Sequence, residues 1–186
     1  LGLFYPPDPA SLDRSSIGGN VAECAGGPRA FKYGTTKRYV LGLEAVLPTG
    51  EVIHTGSKAV KNVVGYDLTQ LLVGSEGTLA IITEVTLRLV PKPSARAVLV
   101  ASFAGVRAAV AAVTALVALR VVPAAIELVD DASLAALRAY RPSELVPPDA
   151  GALLIAEVDG TEASVAAEAA HVEAACRGEG ATSVTR

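Results

Sequence analysis

Hydrophobic and polar positions recur along this chain with two different periods. Residues 38–47 are rich in Val, Leu and Tyr, and Pro48-Thr49-Gly50 turns the chain into residues 51–55, which predicts a hairpin. Over residues 79–90, Leu79, Ile81, Val85, Leu87 and Leu89 share one face and Glu84, Thr86 and Arg88 the other. That alternation predicts a strand, or two joined by a bend. Between these segments Leu68, Leu71 and Leu72 follow Asp67 at helical spacing, and Gly74 stands where a left-handed residue ends a helix.

Strands and helices alternate in the second half. Residues 97–103 read as a strand, 106–121 as a helix buried on most sides, 124–129 as a strand and 132–140 as a short helix. A proline-rich loop at 142–148 leads to a strand at 152–158. Thr161 then caps a helix with Val165, Ala169, Val172 and Cys176 on one face, ending at Gly178, and residues 182–185 look like a last strand. Strands separated by helices predict an α/β layer.

Composition sharpens the division. Residues 1–93 hold 7 alanines and 12 glycines, and residues 94–186 hold 27 and 5, which divides the chain near Pro91-Lys92-Pro93. With 51% hydrophobic and 19% charged residues among 186, the chain can bury a core. A formal charge of −3 gives no broadly basic face for nucleic acid. The apolar stretch 97–126 is interrupted by Arg107 and Arg120, so no membrane span is expected, and the cytoplasm is the expected compartment. Cys24 and Cys176 make no disulfide framework, and His54 and His171 are too far apart to signal a metal site. A chain that begins at Leu1 and contains no methionine reads as a piece of a longer product.

Candidate chemistry concentrates in the first half. Tyr5-Pro6-Pro7-Asp8-Pro9 makes a rigid extended wall. Ser15-Ser16-Ile17-Gly18-Gly19-Asn20, followed by Gly26-Gly27, lets backbone approach a flat or anionic ligand, or forms a tight turn with a serine cap. Its spacing matches neither the Rossmann nor the Walker fingerprint. Lys61-Asn62 precedes Gly65-Tyr66-Asp67, and Gly74-Ser75-Glu76-Gly77-Thr78 could form an anion nest or a plain connection.

Taken in order, these patches, with Lys32-Tyr33-Gly34 and Ile82-Thr83-Glu84-Val85-Thr86-Leu87, resemble the FAD-binding domain of the vanillyl-alcohol oxidase (PCMH-type) flavoproteins. Within that superfamily the chain is similar to the glycolate oxidase FAD subunit and the FAD-linked D-lactate and D-2-hydroxyglutarate dehydrogenases. Residues 97–186, notably Pro123-Ala124-Ala125-Ile126-Glu127-Leu128 and Glu157-Val158-Asp159-Gly160, resemble the start of the family's FAD-linked oxidase C-terminal domain. The resemblance implies an α+β protein: the second part of a PCMH-type FAD-binding domain over 1–93, then an incomplete α/β C-terminal domain over 94–186. It implies FAD as cofactor, held by Pro7, Asp8, Pro9, Ser16, Ile17, Gly18, Gly19, Asn20, Gly74, Ser75, Glu76, Gly77, Thr78 and Ile82. Backbone donors and missing Cβ atoms suit a large planar dianion.

Two positions depart from the family pattern: Cys24 where relatives commonly have Asn, and Ala80 where they usually have Gly. The implied activity is oxidation of a 2-hydroxy acid such as glycolate or D-lactate by hydride transfer to flavin. An iron–sulfur partner subunit is the implied electron acceptor. Arg29 and Lys61 are the candidate cations for the substrate carboxylate, and no catalytic residue or metal ligand is assigned. The alternative is a non-catalytic subunit of a glycolate oxidase-like complex that keeps the FAD fold for assembly.

Overall fold

A computed structural model describes residues 1–59, 61–140 and 146–186, so Val60 and most of the predicted proline-rich loop lie outside the described residues. The chain divides into two compact units, Leu1–Lys92 and Pro93–Arg186.

The first unit is built on an antiparallel sheet. Strand β1 (Leu3–Phe4) is followed by helix α1 (Ile17–Ala22), helix α2 (Ala30–Tyr33) and a 3-10 turn at Thr36–Tyr39. The predicted hairpin forms as β2 (Val40–Val46) and β3 (Val52–Gly56). Helix α3 (Leu68–Leu72) begins at Asp67, whose carboxylate accepts from the Gln70 amide at 2.9 Å, as an N-cap does. Strand β4 (Ile81–Leu87) pairs with the other side of β2, giving the order β3-β2-β4. The bend expected in 79–90 falls after Leu87, and β5 (Val90–Pro91) pairs with β1. Val21 from α1, Leu72 and Val73 from the α3 region, and Val40, Leu43 and Ala45 from β2 form the core.

Strand β4 departs from strict alternation. Glu84 faces Glu44 but Ile82 faces Ala45, so Thr83 is an extra residue, a bulge that reverses the side-chain phase. Ile82, Val85 and Leu87 pack on the core, while Ile81, expected inside with Val85, is 70% exposed.

In the second unit β6 (Ala95–Phe103), α4 (Val106–Ala118), β7 (Ala125–Asp130), α5 (Asp131–Tyr140), β8 (Ala152–Gly160), α6 (Glu162–Gly178) and β9 (Ser183–Thr185) follow in order. The sheet order is β7-β8-β6-β9 and every pair is antiparallel, because the α4 connection skips a strand position that β8 later fills. This is the ferredoxin-like split βαβ arrangement. Helices α4 and α6 cover one face: Leu99, Ala101, Phe103, Leu154, Ala156 and Val158 meet Ala112, Leu116, Val165, Ala169, Val172 and Cys176. Alanine at these sites lets the helices approach the sheet closely. On the other face α5 buries Leu134 against Leu153, Val100 and Val129. Thr161 caps α6 through a reciprocal box with Ser164.

Candidate functional site

The serine–glycine run is a helix, not a turn. Ser16 takes an extended backbone and its Oγ accepts from the Gly19 amide at 3.0 Å, capping α1. Glycine is a poor helix former, so two glycines at the start of α1 hide it from a propensity reading. Docking of Val21, fully buried, overrides that weakness. After α1, the Ala25 amide donates to Asn20 O at 2.8 Å and the Cys24 amide to Val21 O at 3.2 Å. That pattern is a Schellman end with Cys24 in the left-handed position, φ 51°. Asn is the non-glycine residue that tolerates this conformation best, a local reason for Asn to be favoured at this place.

The second run docks on the end of the first. The Gly74 amide donates to Val21 O at 3.0 Å and the Glu76 amide to Ala22 O at 2.9 Å. Gly74, at φ 81°, is held so closely that a Cβ there would lie 3.1 Å from Cys24 Cβ. Glu76 is also left-handed, at φ 54°, and Thr78 closes the turn by donating its hydroxyl to Ser75 O at 2.6 Å. Two neighbouring left-handed non-glycine residues mark strain that the surrounding bonds hold in place. Sequence spacing gave no sign of it.

The proline–aspartate loop is braced from two sides. Arg29 Nε lies 3.4 Å from Asp8 Oδ2, and the Arg29 amide donates to Asp8 Oδ1 at 3.3 Å. A Cβ on Gly27 would run into the Asp8 carbonyl, so only glycine allows this approach. On the other side the Tyr5 hydroxyl donates to Thr36 Oγ1 at 3.4 Å, and that hydroxyl donates to Ala25 O at 2.8 Å. Burial raises the Tyr5 phenol above its ordinary pKa, with the Thr36 bond opposing it, so Tyr5 stays protonated as a donor. Pro7 is buried, and Asp8 and Pro9 are half-buried.

The predicted residues thus fall into three groups. Ser16, Ile17, Gly18, Gly19 and Asn20 lie in or beside α1, joined to Gly74, Ser75, Glu76, Gly77 and Thr78 by the two amide bonds. Pro7, Asp8 and Pro9 form the braced loop that leads into α1. Ile82 lies inward on the bulged strand, packed against the core. Arg29 is ion-paired to Asp8, and Lys61 is exposed.

The surface of the joined runs has room for a ligand. Ser16, Ile17, Gly19, Gly74, Glu76, Gly77 and Thr78 are exposed, and a Cβ added at Gly18 or Gly77 would meet nothing within 4 Å. Ser15 Oγ, shielded from solvent, has no hydrogen-bond partner among the described residues. An orphaned hydroxyl beside open glycines fits a cofactor lying across these runs.

Neither histidine joins this wall. His54 Nε2 is 3.0 Å from Glu44 Oε2, and its neighbour Ile53 packs on the core from the opposite face of β3. His171 is exposed on α6. Cys176 is 1% exposed in the helix–sheet core, and burial pushes its thiol up to about 11. Among the described residues, no three His, Cys, Asp or Glu side chains are placed to hold a metal ion, and no helix is long and apolar enough to cross a membrane.

Comparisons with known proteins point the same way. Residues 1–56 match the family described as "FAD binding domain", and residues 92–186 match "FAD linked oxidases, C-terminal domain". The chain is 46% identical over 183 residues to a glycolate oxidase subunit GlcD from Bacillus subtilis, covering 98% of this chain and 39% of that protein. It is 40% identical over 165 residues to a D-lactate dehydrogenase from Anaerostipes hadrus, covering 86% and 34%. Among solved structures, an alkyldihydroxyacetonephosphate synthase superposes with a TM-score of 0.81 at 25% identity, covering 97% of this chain and 35% of that one. The chain therefore spans well under half the length of these relatives.

Proposed function

Because the chain belongs to the FAD-linked oxidases, whose cofactor is FAD, we propose that it is part of an enzyme that oxidises a 2-hydroxy acid of the glycolate or D-lactate type. The observation that carries this reading is the bonding of Gly74 and Glu76 to the last carbonyls of α1, which unites the two runs into one surface. In this reading the residues of both runs and the loop of Pro7, Asp8 and Pro9 hold the cofactor. When bound, FAD supplies the two-electron acceptor for the hydrogen on the hydroxyl-bearing carbon.

The chain's own residues position rather than react. The Arg29–Asp8 pair and the Tyr5–Thr36–Ala25 chain of hydrogen bonds fix the proline wall. Glycines at 18 and 77 leave space for a flat ligand to approach the backbone. With Arg29 engaged by Asp8, its role here is to brace the loop, and Lys61 is the cation left to meet a substrate carboxylate. His54, paired with Glu44, and His171, exposed on α6, lie outside the two runs. Relatives carrying the word "subunit" in their names support assembly with a further chain, and an iron–sulfur protein that removes electrons from the flavin fits that place.

The test is anaerobic addition of glycolate, D-lactate and other 2-hydroxy acids to the full-length, flavin-loaded protein. Bleaching of the oxidised flavin band by one or more acids is expected. Flavin that stays oxidised with every acid, in a protein that assembles with its partner chains, would instead support the non-catalytic subunit.

A further inference from the structure

We propose that the outer flank of α4 is a docking surface for one acidic, amphipathic α-helix of another protein chain. The surface lies in the second unit and uses no residue of the two cofactor runs. Val106, Val110, Val113 and Val117 stand four, three and four residues apart, the spacing of a coiled-coil seam. Val106, Val110 and Val117 are exposed, the last two by 50% and 56%, while Val113 also touches the core beneath. The helix buries its other side, Ala109, Ala112 and Leu116, against the sheet. A seam this narrow matches a single helix, whose own apolar residues would fit between the four valines.

Helix α6 covers the same face of the sheet and shows what a self-sufficient surface helix of this unit looks like. Among its described residues no large apolar side chain is exposed. It begins with the reciprocal Thr161–Ser164 cap and Glu162 in its first turn, and Arg177 stands in its last turn. Those charges have the signs that the helix dipole favours. In α4 they do not: Gly105 gives no side-chain cap, no acid lies in the first turn, and Arg107 puts a cation there. Arg120, the next position of the seam series, holds a left-handed backbone, φ 59°, where glycine is free of strain. Apolar exposure, a cation at the positive end and a left-handed arginine each lower the stability of the free helix. Their concentration on one flank is accounted for by docking, not by folding.

The charges identify that partner. Residues 85–126 contain five Lys and Arg and no Asp or Glu, in a chain whose formal charge is −3. Arg107 and Arg120 are exposed at the two ends of the seam, roughly 20 Å apart along the axis. Neither has an ion pair among the described residues. Carboxylates at both ends of an incoming helix would meet them. A second copy of α4 would set arginine against arginine whether it ran parallel or antiparallel, so self-pairing is disfavoured. A lipid surface is matched by bulky Leu, Phe and Trp opposite a row of cations, whereas this seam carries valines with a cation only at each end.

The test is fluorescence anisotropy titration of the full-length protein into a labelled amphipathic peptide of about 20 residues, long enough to form a helix. The peptide carries leucines at three- and four-residue spacing with glutamates flanking them, and its twin carries lysine in place of every glutamate. Saturable binding of the glutamate peptide is expected, about tenfold or more tighter than that of the lysine peptide, equivalent to ~1.4 kcal/mol. Val110→Glu and Val117→Glu should each weaken it by about tenfold or more. Leu137→Glu, at an exposed leucine of α5 on the other face of the sheet, should leave it unchanged. Arg107→Glu should lower affinity for the glutamate peptide and raise it for the lysine peptide, an exchange that loss of folding cannot mimic. No saturable binding, equal binding of the two peptides, or binding of phosphatidylserine vesicles in place of either would overturn the proposal. So would self-association of the full-length protein that Val110→Glu abolishes.

Discussion

Replacing Arg120 by glycine is expected to stabilise the second unit by about 0.5–1 kcal/mol. Helix α4 ends with the Arg120 amide bonded to Val117 O at 3.0 Å and the Val121 amide to Leu116 O at 3.2 Å, with Arg120 at φ 59°. Helix α6 ends in the same way at Gly180, φ 82°, with bonds of 3.1 Å to Arg177 O and, from Ala181, 2.9 Å to Cys176 O. The same motif thus occurs with and without a Cβ. A left-handed L-residue costs roughly 1–2 kcal/mol, and glycine's extra freedom in the unfolded chain returns about 0.5–1 kcal/mol of that gain. Arg120 is exposed and forms no ion pair among the described residues, so little else changes. For a unit of this size the melting temperature should rise by roughly 3–6 °C. The reciprocal Gly180→Arg, where a Cβ meets nothing within 4 Å, should lower stability by about 1 kcal/mol through the backbone alone. Thermal unfolding followed by circular dichroism measures both. An Arg120→Gly variant that melts at or below the parent temperature would refute the reasoning, because the arginine side chain would then outweigh its strain.

Arg29→Ala should lower the stability of the first unit by ~1 kcal/mol and expose the Pro7–Asp8–Pro9 loop to proteolysis, since a half-buried ion pair and its packing are lost; unchanged melting with a raised KM for the hydroxy acid would assign Arg29 to substrate instead. Cys176 should resist thiol reagents in the folded chain below about pH 10, with Cys24 the thiol that labels. The Cys176 thiol ionises near 9.0 when unfolded and near 11 when folded, so its contribution is complete below pH 9 and is lost as pH rises towards 11; the check is melting temperature against pH, compared with Cys176→Ala. The 186-residue chain alone should purify without flavin, because it spans 39% of the length of the Bacillus subtilis GlcD relative and hydrogen bonds to a charged ligand contribute roughly 1.5–3 kcal/mol each; stoichiometric FAD binding in a fluorescence titration would contradict this.

The second unit was legible because its helices and strands are long and periodic. The face of α6 that holds Val165, Ala169, Val172 and Cys176 can be read directly at helical spacing. Strand order was not legible: alternating strands and helices do not reveal that β8 inserts between β6 and β7. In the first unit the errors have local causes. Two glycines masked α1, whose stability comes from the Ser16 cap and the burial of Val21. The bulge at Thr83 reversed β4 so that Ile82 rather than Ile81 reached the core, which a strict period of two cannot express. The ion pair of Arg29 was not visible because its partner, Asp8, is 21 residues away. The glycine runs themselves were visible, but their joining by amide bonds depends on the left-handed turns at Cys24 and Glu76, which composition does not signal.

Flavin content of a Gly18→Leu variant of the full-length protein tests the central claim most directly. A Cβ at Gly18 would meet no described atom within 4 Å apart from its chain neighbours and its own helix backbone, and leucine favours a helix over glycine, so the variant should fold. Its added bulk would project from the surface proposed to hold the cofactor. The account predicts a folded, colourless protein with parent-like circular dichroism and no bound FAD. A yellow variant holding FAD at the parent's stoichiometry would contradict it and remove α1 from the cofactor wall.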